Sequence, residues 1–483
     1  MSKNKKVKPQ RVRPQLLKGF RDYPPEQQAA RERIVDQLRE AVGLLGFRPL
    51  QTASLESADV LLGSHYSSDS LAELFGFTGP DEVDMALRYE FTLSLARFVA
   101  SQPNLPLPFR RYQYGNVWRV DKPGPGRFRE FMQFDLDIVG TKNMLADAEI
   151  IAAMVTSLEK LGLERFEVRY SNRKIANGLI EKCGVPAERG PDVLRVIDKL
   201  GRIGIEGVAA ELGNGRVDDS GAKIPGLELP SEQIDSLSEL LAGAGGDAKI
   251  DLAWARERAE GSEIGSEGVR ELEQVDEYLS RLLSERSAAR TRFDVTIVRG
   301  LGYYTGPVFE TTLLDLPEYG SIFSGGRYDN LLDRFQSQSV PAVGTSVGID
   351  RLLAALIELK AVTLGGAGSQ VLVTTMDRER IDDYLAMVAE LRAAGIRTEV
   401  FAGDTKNLTR QVKYGDKVDI PITVIAGSNE FEQGQVTVKN MLAGARAAAA
   451  TDDREEWLKA EGFQETIPRS ELVNYVKSRL GLK

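Results

Sequence analysis

The residues of this chain that could do chemistry are mostly arginines, and they gather in one segment. Residues 109–140 read FRRYQYGNVWRVDKPGPGRFREFMQFDLDIVG, in a chain whose formal net charge is −9. Few acids accompany the six basic side chains of this segment, which are Arg110, Arg111, Arg119, Lys122, Arg127 and Arg129. Guanidinium groups bind phosphate and carboxylate through paired donors, so the pattern favours a nucleotide triphosphate or an RNA end. An ordinary surface hairpin with solvated arginines is the alternative.

Composition excludes several other kinds of catalysis. The 483 residues are 42% hydrophobic and 28% charged, with one cysteine, Cys183, and one histidine, His65. This excludes an intramolecular disulfide framework and metal centres built on histidines or cysteine pairs. A Ser-His-Asp hydrolase would depend on His65 alone, which lies in a polar stretch. The chemistry must therefore use Arg, Asp, Glu, Tyr and the backbone, and we predict no protein-built metal site.

Length and targeting signals indicate a multidomain cytoplasmic protein. A chain of this length is typical of about two to four domains. It has no run of eighteen apolar residues and no apolar signal core near residue 1, so we predict no membrane association. The single cysteine fits a reducing compartment. Residues 1–15 are predicted to be a disordered basic tail, with RNA contact or a transit peptide as weaker alternatives.

The arginines lie on a predicted hairpin. Two β-patterned runs, 111–120 and 128–139, flank the turn-forming sequence Lys-Pro-Gly-Pro-Gly. A helix is predicted before the hairpin at 25–45 and another after it at 146–161, from their apolar periodicity. Glu90 and Thr92 lie at a strand-to-helix change within 85–100, where simple helix capping is the alternative to a binding role.

Further chemistry-bearing residues come with glycines. RGLGYYTG (299–306) follows a predicted strand at 292–298 and precedes another at 308–314. SGGRYD (324–329) is predicted to open a helix at 328–335, and residues 342–353 run from a strand into a helix that bears Arg351. Each could be a structural turn. Together with the hairpin, they favour backbone packed closely against a small ligand.

Two regions have a different pattern from this β-rich part. Residues 173–290 are strongly helical and charged, and we predict that they form an inserted helical domain. After a glycine-rich linker, residues 369–442 alternate strands and helices as a compact α/β unit. The last segment, 452–483, is predicted to be a helical extension.

These motifs resemble the class II aminoacyl-tRNA synthetases and, within that class, the histidyl-tRNA synthetases. The resemblance covers residues 16–442. WRVD (118–121) with the loop and FMQFDLD (131–137) is similar to the second class motif, and GTSVGIDR (344–351) to the third. The first motif would end at 52–56, with Ala53 in place of the usual proline. RGLGYYTG and GGRYD resemble the two histidine-specific motifs, except that Gly302 replaces the usual aspartate.

The resemblance implies a fold and an activity. The fold would be α/β: an antiparallel-sheet catalytic core at 16–360 with the inserted helical domain, plus a C-terminal anticodon-binding domain. The activity would be activation of L-histidine with ATP and Mg²⁺, followed by transfer to tRNA(His), in a likewise implied homodimer. A regulatory subunit of ATP phosphoribosyltransferase is the alternative, although that relative lacks residues like 369–442 and tends to lose the catalytic arginines.

Site residues follow from the resemblance, position by position. Arg119 and Arg299 would be catalytic, and ATP would contact Arg119, Arg351 and Asp121. The histidine pocket would consist of Glu90, Thr92, Gln133, Asp137, Arg299, Tyr304 and Tyr328. Lys122, Gly124 and Arg127 would form the loop that meets the tRNA acceptor end. In most bacterial relatives a glutamine stands at the position of Gly124, and the loop reaches an extra guanosine at the tRNA's 5′ end.

Overall fold

A computed structural model describes residues 12–63, 74–124, 127–218, 221–241, 251–297, 304–362, 364, 368–441 and 464–482. The chain divides into two compact units. One consists of residues 1–22 and 31–362, and the other of residues 23–30 and 363–483. The predicted basic tail at 1–15 lies mostly outside the described residues.

The first unit is built on an eight-stranded, mainly antiparallel sheet with the order β1-β5-β6-β13-β12-β11-β7-β10. Smaller sheets have the orders β2-β4-β3 and β8-β9. The strands are β1 (Arg48–Pro49), β2 (Leu55–Ser57), β3 (Gly76–Thr78), β4 (Asp84–Leu87), β5 (Phe109–Trp118), β6 (Glu130–Val139), β7 (Phe166–Asn172), β8 (Gly215–Val217), β9 (Lys223–Pro225), β10 (Thr291–Phe293), β11 (Pro307–Leu313), β12 (Ser321–Tyr328) and β13 (Ala342–Gly348).

The two faces of this sheet differ in chemistry because side chains alternate along a strand. On β6, Phe134, Leu136 and Ile138 point to one side and are buried. Helices Leu145–Lys160 and Ile349–Glu358 pack on the strands from that apolar side. The opposite face carries the polar residues of the same strands and holds the candidate site.

The helices of the first unit pack on the sheet and form the insertion; the first of them, Pro25–Leu44, begins in the second unit, which includes residues 25–30 of this helix. They are Pro25–Leu44, Ala58–Leu62, Thr92–Ala100, Leu145–Lys160, Arg173–Lys182, Gly190–Ile197, Leu200–Leu212, Ser231–Leu241, Leu252–Ala259, Glu263–Leu282, Glu285–Ala288 and Ile349–Glu358, with short 3-10 helices at Ala187–Arg189, Pro317–Tyr319 and Leu331–Arg334. The described part of 173–290 is mainly helical and has its own apolar core, which includes Val193, Val208 and Leu237.

The second unit is an α/β layer with the strand order β15-β14-β16-β17-β18. Its strands are β14 (Val371–Val373), β15 (Thr398–Val400), β16 (Ile422–Ile425), β17 (Gln435–Asn440) and β18 (Gln464–Pro468). Its helices are Ile381–Ala393, Leu408–Lys417, Ser428–Glu432 and Leu472–Leu480, with 3-10 helices at Arg378–Arg380 and Arg469–Glu471. A core that includes Val373, Tyr384 and Val424 holds the layer together.

The structure differs from the sequence-based expectation in three places. The strand predicted at 292–298 ends at Phe293, and the described residues that follow it, 294–297, form a turn. Residues of GGRYD lie on β12 and are followed by the short 3-10 helix Leu331–Arg334, whereas a helix was predicted at 328–335. Residues 464–468 form strand β18, which pairs antiparallel with β17, instead of part of a helical extension. The sheet of the C-terminal unit therefore continues beyond residue 442.

Candidate active site

The candidate site lies on the polar face of the large sheet, with its centre on β6. Gln133, Asp135 and Asp137 alternate with the apolar residues of this strand and point to the same side. All three are at most 8% exposed. Their neighbours across β5 are Gly115, Gln113 and Arg111, and across β13 they are Gly348, Ser346 and Gly344. The β5–β6 hairpin and the pairing of β6 with β13 therefore bring together polar groups that are far apart in the sequence.

Glycines keep the floor of this face open. A Cβ atom on Gly344 would lie 2.0 Å from Asp137 Oδ1. A Cβ atom on Gly326 would lie 2.8 Å from the Pro307 carbonyl oxygen and 2.9 Å from Tyr304 Cδ1. Since real Cβ atoms do not approach so closely, any side chain at these positions would displace pocket residues. The glycines of GGRYD and GTSVG thus make room for functional side chains.

Asp137 is held by two partners. Arg111 Nη2 lies 2.6 Å from Asp137 Oδ2, and both side chains are almost fully buried. The Tyr328 hydroxyl donates a hydrogen bond to Asp137 Oδ1. Burial raises the pKa of Asp137, while the Arg111 charge and the Tyr328 hydrogen bond oppose that rise. The structure therefore brings together Asp137 and Tyr328, which were both predicted to line the histidine pocket.

Glu90 and Thr92 lie at the start of helix Thr92–Ala100, and Glu90 caps it. Glu90 Oε2 accepts a hydrogen bond from the Thr92 amide and Oε1 one from the Leu93 amide, each 2.7 Å long. The capping alternative thus describes a real contact. Because each carboxylate oxygen can accept a second hydrogen bond, capping orients Glu90 without exhausting it. Burial raises the pKa of Glu90, and these hydrogen bonds and the Arg119 charge oppose that rise.

Gln133 belongs to a short hydrogen-bond chain. Its Nε2 donates to Ser346 Oγ over 2.7 Å, and Ser346 Oγ donates to Asp135 Oδ1 over 2.5 Å. Because the Ser346 hydroxyl has only one proton, this direction requires the Gln133 amide nitrogen to face Ser346. Gln133 Oε1 is buried and has no hydrogen-bond partner among the described residues. That oxygen is therefore a buried acceptor to which no described residue donates.

Tyr304 closes the pocket from the chain segment before β11. Burial raises its pKa, and the negative charges of four nearby carboxylates raise it further: Asp137, Asp135, Glu90 and Glu310, in decreasing order of effect. At neutral pH the Tyr304 hydroxyl is therefore protonated and can donate a hydrogen bond. A neutral imidazole has one N–H donor and one nitrogen acceptor. A hydroxyl donor that lies near carboxylate acceptors complements both.

A cluster of three arginines lies beside this acidic pocket. Arg119 Nε donates to the Tyr89 carbonyl oxygen over 3.1 Å, and its guanidinium carbon lies 5.1 Å from the Phe131 ring centre. Arg351 Nη1 donates to the Ser321 carbonyl oxygen over 3.0 Å. Burial lowers the pKa of Arg351, and the charges of Arg127 and Arg119 lower it further. We call Arg119, Arg127 and Arg351 the arginine cluster. None of the three forms an ion pair with a carboxylate of the described residues.

The loop that was predicted to meet the tRNA acceptor end connects the two strands of the same hairpin. The Gly124 and Arg127 amides each donate to the other's carbonyl oxygen, over 3.2 and 2.9 Å. Asp121 and Lys122 are exposed, and the Asp121 carbonyl oxygen accepts a long 3.4 Å hydrogen bond from Arg129 Nε. A Cβ atom on Gly124 would meet nothing within 4 Å. The loop therefore offers exposed basic side chains and open space.

The site residues predicted from the sequence and the residues that the structure places in the pocket are only partly the same. Arg299 and Gly302 lie outside the described residues, as does His65. Sequence reasoning assigned no role to Asp135 or Ser346, which the structure places in the pocket. It counted Arg111 among the basic side chains expected to bind a phosphate or carboxylate ligand, whereas the structure buries Arg111 in an ion pair with Asp137. The period-two alternation along β6 could have revealed Asp135, since it stands two residues from both Gln133 and Asp137. Ser346 had no such signal.

A mainly antiparallel sheet with a polar face, an arginine cluster and motif residues on β5, β6 and β13 defines the catalytic core of a class II aminoacyl-tRNA synthetase. The family model described as "Histidyl-tRNA synthetase" matches residues 19–352, and that described as "Anticodon binding domain" matches residues 370–479. The chain belongs to the histidyl-tRNA synthetase family.

Individual relatives agree over their whole length. A histidine–tRNA ligase of Paracoccus denitrificans is 43% identical over 505 residues and covers 100% of both chains. One of Cereibacter sphaeroides is 43% identical and covers 97% of this chain and 98% of its own. A solved histidyl-tRNA synthetase of Nostoc sp. PCC 7120 superposes with a TM-score of 0.78 at 26% identity, over 97% of this chain and 100% of its own. The predicted fold class, family and histidine–tRNA ligase activity are confirmed by these matches, and the regulatory alternative is not favoured.

Proposed function

We propose that this chain joins L-histidine and ATP into histidyl-adenylate through the arginine cluster and the acidic pocket, and then transfers histidine to tRNA(His). The observation that carries this assignment is the arrangement of the charges. Three arginines without carboxylate partners adjoin a pocket that contains Glu90, Asp135 and Asp137. One side of the site thus suits phosphates, and the other suits an amino acid with a ring donor and an α-ammonium group.

The first step is an in-line displacement at phosphorus. A carboxylate oxygen of histidine forms a bond to the α-phosphorus of ATP while the bond from that phosphorus to the bridging oxygen of pyrophosphate breaks. By resemblance, Arg119 would hold the α-phosphate oxygens and Arg351 the γ-phosphate. Their contribution is orientation and charge stabilisation, because the step needs no protein acid or base. Arg299 and Asp121 are assigned here by resemblance alone.

The amino acid is oriented by the pocket. Glu90, Thr92 and the Gln133 Oε1 acceptor would bind the α-ammonium group, and Tyr304, Tyr328 and Asp137 would surround the ring. A buried polar site of this kind discriminates against apolar amino acids because their binding leaves its polar groups unpaired. In the second step, a hydroxyl of the terminal ribose attacks the activated carbonyl carbon, and AMP leaves.

The remaining parts of the proposal concern the ion, the assembly and the compartment. No group of three or more His, Cys, Asp or Glu side chains in the described residues could hold a metal ion alone. Mg²⁺ would therefore be held mainly by the outer phosphates of the bound nucleotide. Family membership supports a homodimer in the cytoplasm. None of the described helices is long and apolar enough to cross a membrane.

Histidine-dependent exchange of pyrophosphate into ATP tests the first step, and charging of a tRNA(His) transcript tests the second. We expect the full chain to show both histidine-dependent exchange and charging of tRNA(His). Absence of exchange with histidine, or equal exchange with another amino acid, would contradict the assignment.

A further inference from the structure

The segment between β4 and helix Thr92–Ala100 contains a buried arginine for which the proposed function has no role. Arg88 directly follows β4, precedes Glu90 by two residues and is 2% exposed. It forms no ion pair with a carboxylate of the described residues. Burial lowers its pKa, and the charges of Glu56 and Asp135 oppose that change. A buried charge is destabilising unless other groups compensate it, so the position of this cation requires an explanation.

Backbone carbonyl groups of two other chain segments compensate the Arg88 charge. Its Nη1 donates to the Thr52 carbonyl oxygen over 2.9 Å and to the Ala53 carbonyl oxygen over 3.2 Å. Its Nε donates to the carbonyl oxygen of Asn116 on β5 over 3.1 Å. The guanidinium carbon also lies 4.6 Å from the centre of the Phe91 ring, a favourable cation–π distance. The guanidinium therefore joins these two segments to its own.

Strand β5 leaves space for this guanidinium and fixes its acceptors. Gly115 has a φ of +151°, and a Cβ atom there would lie 3.0 Å from Arg88 Nη2, which is closer than such atoms normally approach. Thr52 is itself held to the strand, because Gln113 Nε2 donates to its Oγ1 over 2.9 Å. A planar guanidinium can reach acceptors in several fixed directions, whereas the single ammonium group of a lysine cannot reproduce that geometry.

The segment that Arg88 holds serves both sides of the site. The carbonyl oxygen of Tyr89 accepts the 3.1 Å hydrogen bond from Arg119 Nε, so the backbone next to Arg88 orients an arginine of the cluster. Glu90, one residue further, belongs to the acidic pocket. A displacement of this segment would therefore move a phosphate-binding arginine and the acceptor proposed for the α-ammonium group together.

Regular secondary structure does not fix this segment. Strand pairing ends at Leu87 and the next helix begins at Thr92. The Arg88 amide donates to the Ser54 carbonyl oxygen, and the Trp118 amide donates to the Arg88 carbonyl oxygen, each over 3.0 Å. The guanidinium adds three hydrogen bonds to these two. Most of the hydrogen bonds that hold Arg88 in place thus come from its own side chain.

We propose that Arg88 is a positioning residue for adenylate formation, which holds Arg119 and Glu90 in the relative placement that the reaction requires. This inference rests on the proposed function and adds to it a residue that acts through its neighbours. Orientation is a main contribution of the site to this step, and a displacement of about 1 Å can lower a rate by about 10²-fold. The effect of Arg88 on the rate should therefore depend on the presence of Arg119.

A double-mutant cycle tests this inference with the full chain. Single-turnover formation of histidyl-adenylate is measured for the wild type, Arg88→Lys, Arg119→Ala and the double variant. Arg88→Lys retains the buried charge but loses the planar donors, and it should lower the rate by roughly 10- to 100-fold. In the Arg119→Ala background it should lower the rate by less than about 3-fold, because residues that act together are not additive. KM for histidine should also rise in Arg88→Lys, since Glu90 would be displaced.

Arg97→Lys is the matched control, since it makes the same change at an arginine that pairs with Glu56 over 2.8 and 2.9 Å and not with the carbonyl groups that hold Arg88. It should leave the rate of adenylate formation nearly unchanged in both backgrounds. An equal loss from Arg88→Lys with and without Arg119 would overturn the inference, as would a wild-type rate in folded Arg88→Lys.

If Arg88→Lys does not fold, Gly115→Ala replaces it in the cycle, because the added methyl group would displace the guanidinium and leave its charge in place. Coupling between Gly115→Ala and Arg119→Ala then supports the inference, and independent effects overturn it. Failure of the proposed function would differ, since the wild type would then form no adenylate with histidine.

Discussion

Arg327 and Asp147 form a buried ion pair on the apolar side of the catalytic sheet, opposite the pocket. Their side chains are 3% and 0% exposed. Arg327 precedes Tyr328 on β12, so alternation directs Tyr328 to the pocket and Arg327 to helix Leu145–Lys160. Within GGRYD, the arginine thus anchors the strand on the apolar side of the sheet, and the tyrosine next to it points to the candidate pocket.

Arg327→Ala should strongly destabilise the first unit. It would leave Asp147 buried without its cation, for which we expect a loss of about 3–5 kcal/mol in the free energy of unfolding. The control is Arg165→Ala, which removes an exposed pair with Asp315 and should change that free energy by less than about 1 kcal/mol. Urea denaturation measures both. Equal effects of the two substitutions would show that the buried pair contributes no more to the free energy of unfolding than the exposed pair does.

Arg119→Ala should depress adenylate formation by roughly 10²-fold or more while the fold survives, because one preorganised charge donor is removed. Pre-steady-state formation of adenylate measures the effect. Arg292→Ala is the matched control, since Arg292 pairs with Glu167 near the far edge of the same sheet and should leave the rate unchanged. A normal rate in Arg119→Ala would remove Arg119 from the catalytic assignment.

Asp135 should make stability depend on pH. Its pKa of about 7 in the folded chain exceeds the value of about 3.9 expected when unfolded, so the folded state holds this proton more tightly. The stabilisation from this group is therefore full below about pH 4 and is lost as the pH rises through about 7. Because Asp135→Asn removes the titration, its free energy of unfolding should fall less than that of the wild type between pH 5.5 and about 7.5.

The measurement is the free energy of unfolding of both proteins at half-unit pH steps. The difference between them should change by up to about 1.4 kcal/mol per pH unit below pH 7 and become constant above it. Asp147, whose pKa burial raises to about 6, titrates equally in both proteins and cancels from the difference. Parallel curves over the whole range would contradict the raised pKa of Asp135.

The C-terminal unit should act on tRNA and not on adenylate formation. A cavity of about 260 Å³ lies at the carboxyl ends of β14 and β15. Its lining includes the apolar Phe401 and Ile381, the basic Arg378 and Lys406 and the acidic Asp377 and Asp404. Apolar and basic groups together suit a nucleotide base with its phosphate. Lys406→Ala should lower kcat/KM for tRNA(His) charging several-fold but leave pyrophosphate exchange intact.

Lys417→Ala is the control, because Lys417 lies at the end of helix Leu408–Lys417 and does not line the cavity. Equal loss of charging and exchange in Lys406→Ala would indicate a structural role for this part of the unit instead.

The acceptor loop should depend little on the extra 5′ guanosine of the tRNA. Gly124 has no side chain to contact a base, and Lys122 and Arg127 can bind phosphates without regard to sequence. Comparison of kcat/KM for transcripts with and without that guanosine tests this hypothesis. A loss beyond about 10²-fold, typical of a good specific base contact, would overturn it. Arg129 would then be the residue to examine as the base contact.

Local patterns were sufficient for much of the fold. The hairpin of β5 and β6, helix Pro25–Leu44 and the passage from β13 into helix Ile349–Glu358 were all predicted, because each has a clear apolar period or turn sequence. The prediction of a helical extension failed at residues 464–468. These residues form a strand because they pair with β17, and local propensity does not reveal that pairing. In GGRYD, the two glycines lie so close to neighbouring strands that a Cβ atom would not fit. The local sequence does not reveal this close approach.

The sequence by itself determined the family and the main charged groups of the site, because motif residues and the scarcity of histidine and cysteine can be read without coordinates. Tertiary structure alone decided how those groups are used. Arg111 meets Asp137 only because β5 and β6 pair in one register, and Ser346 meets Asp135 only because β13 lies on the other side of β6. The partners of each carboxylate depend on these long-range contacts, and the spacing of residues along one strand cannot specify them.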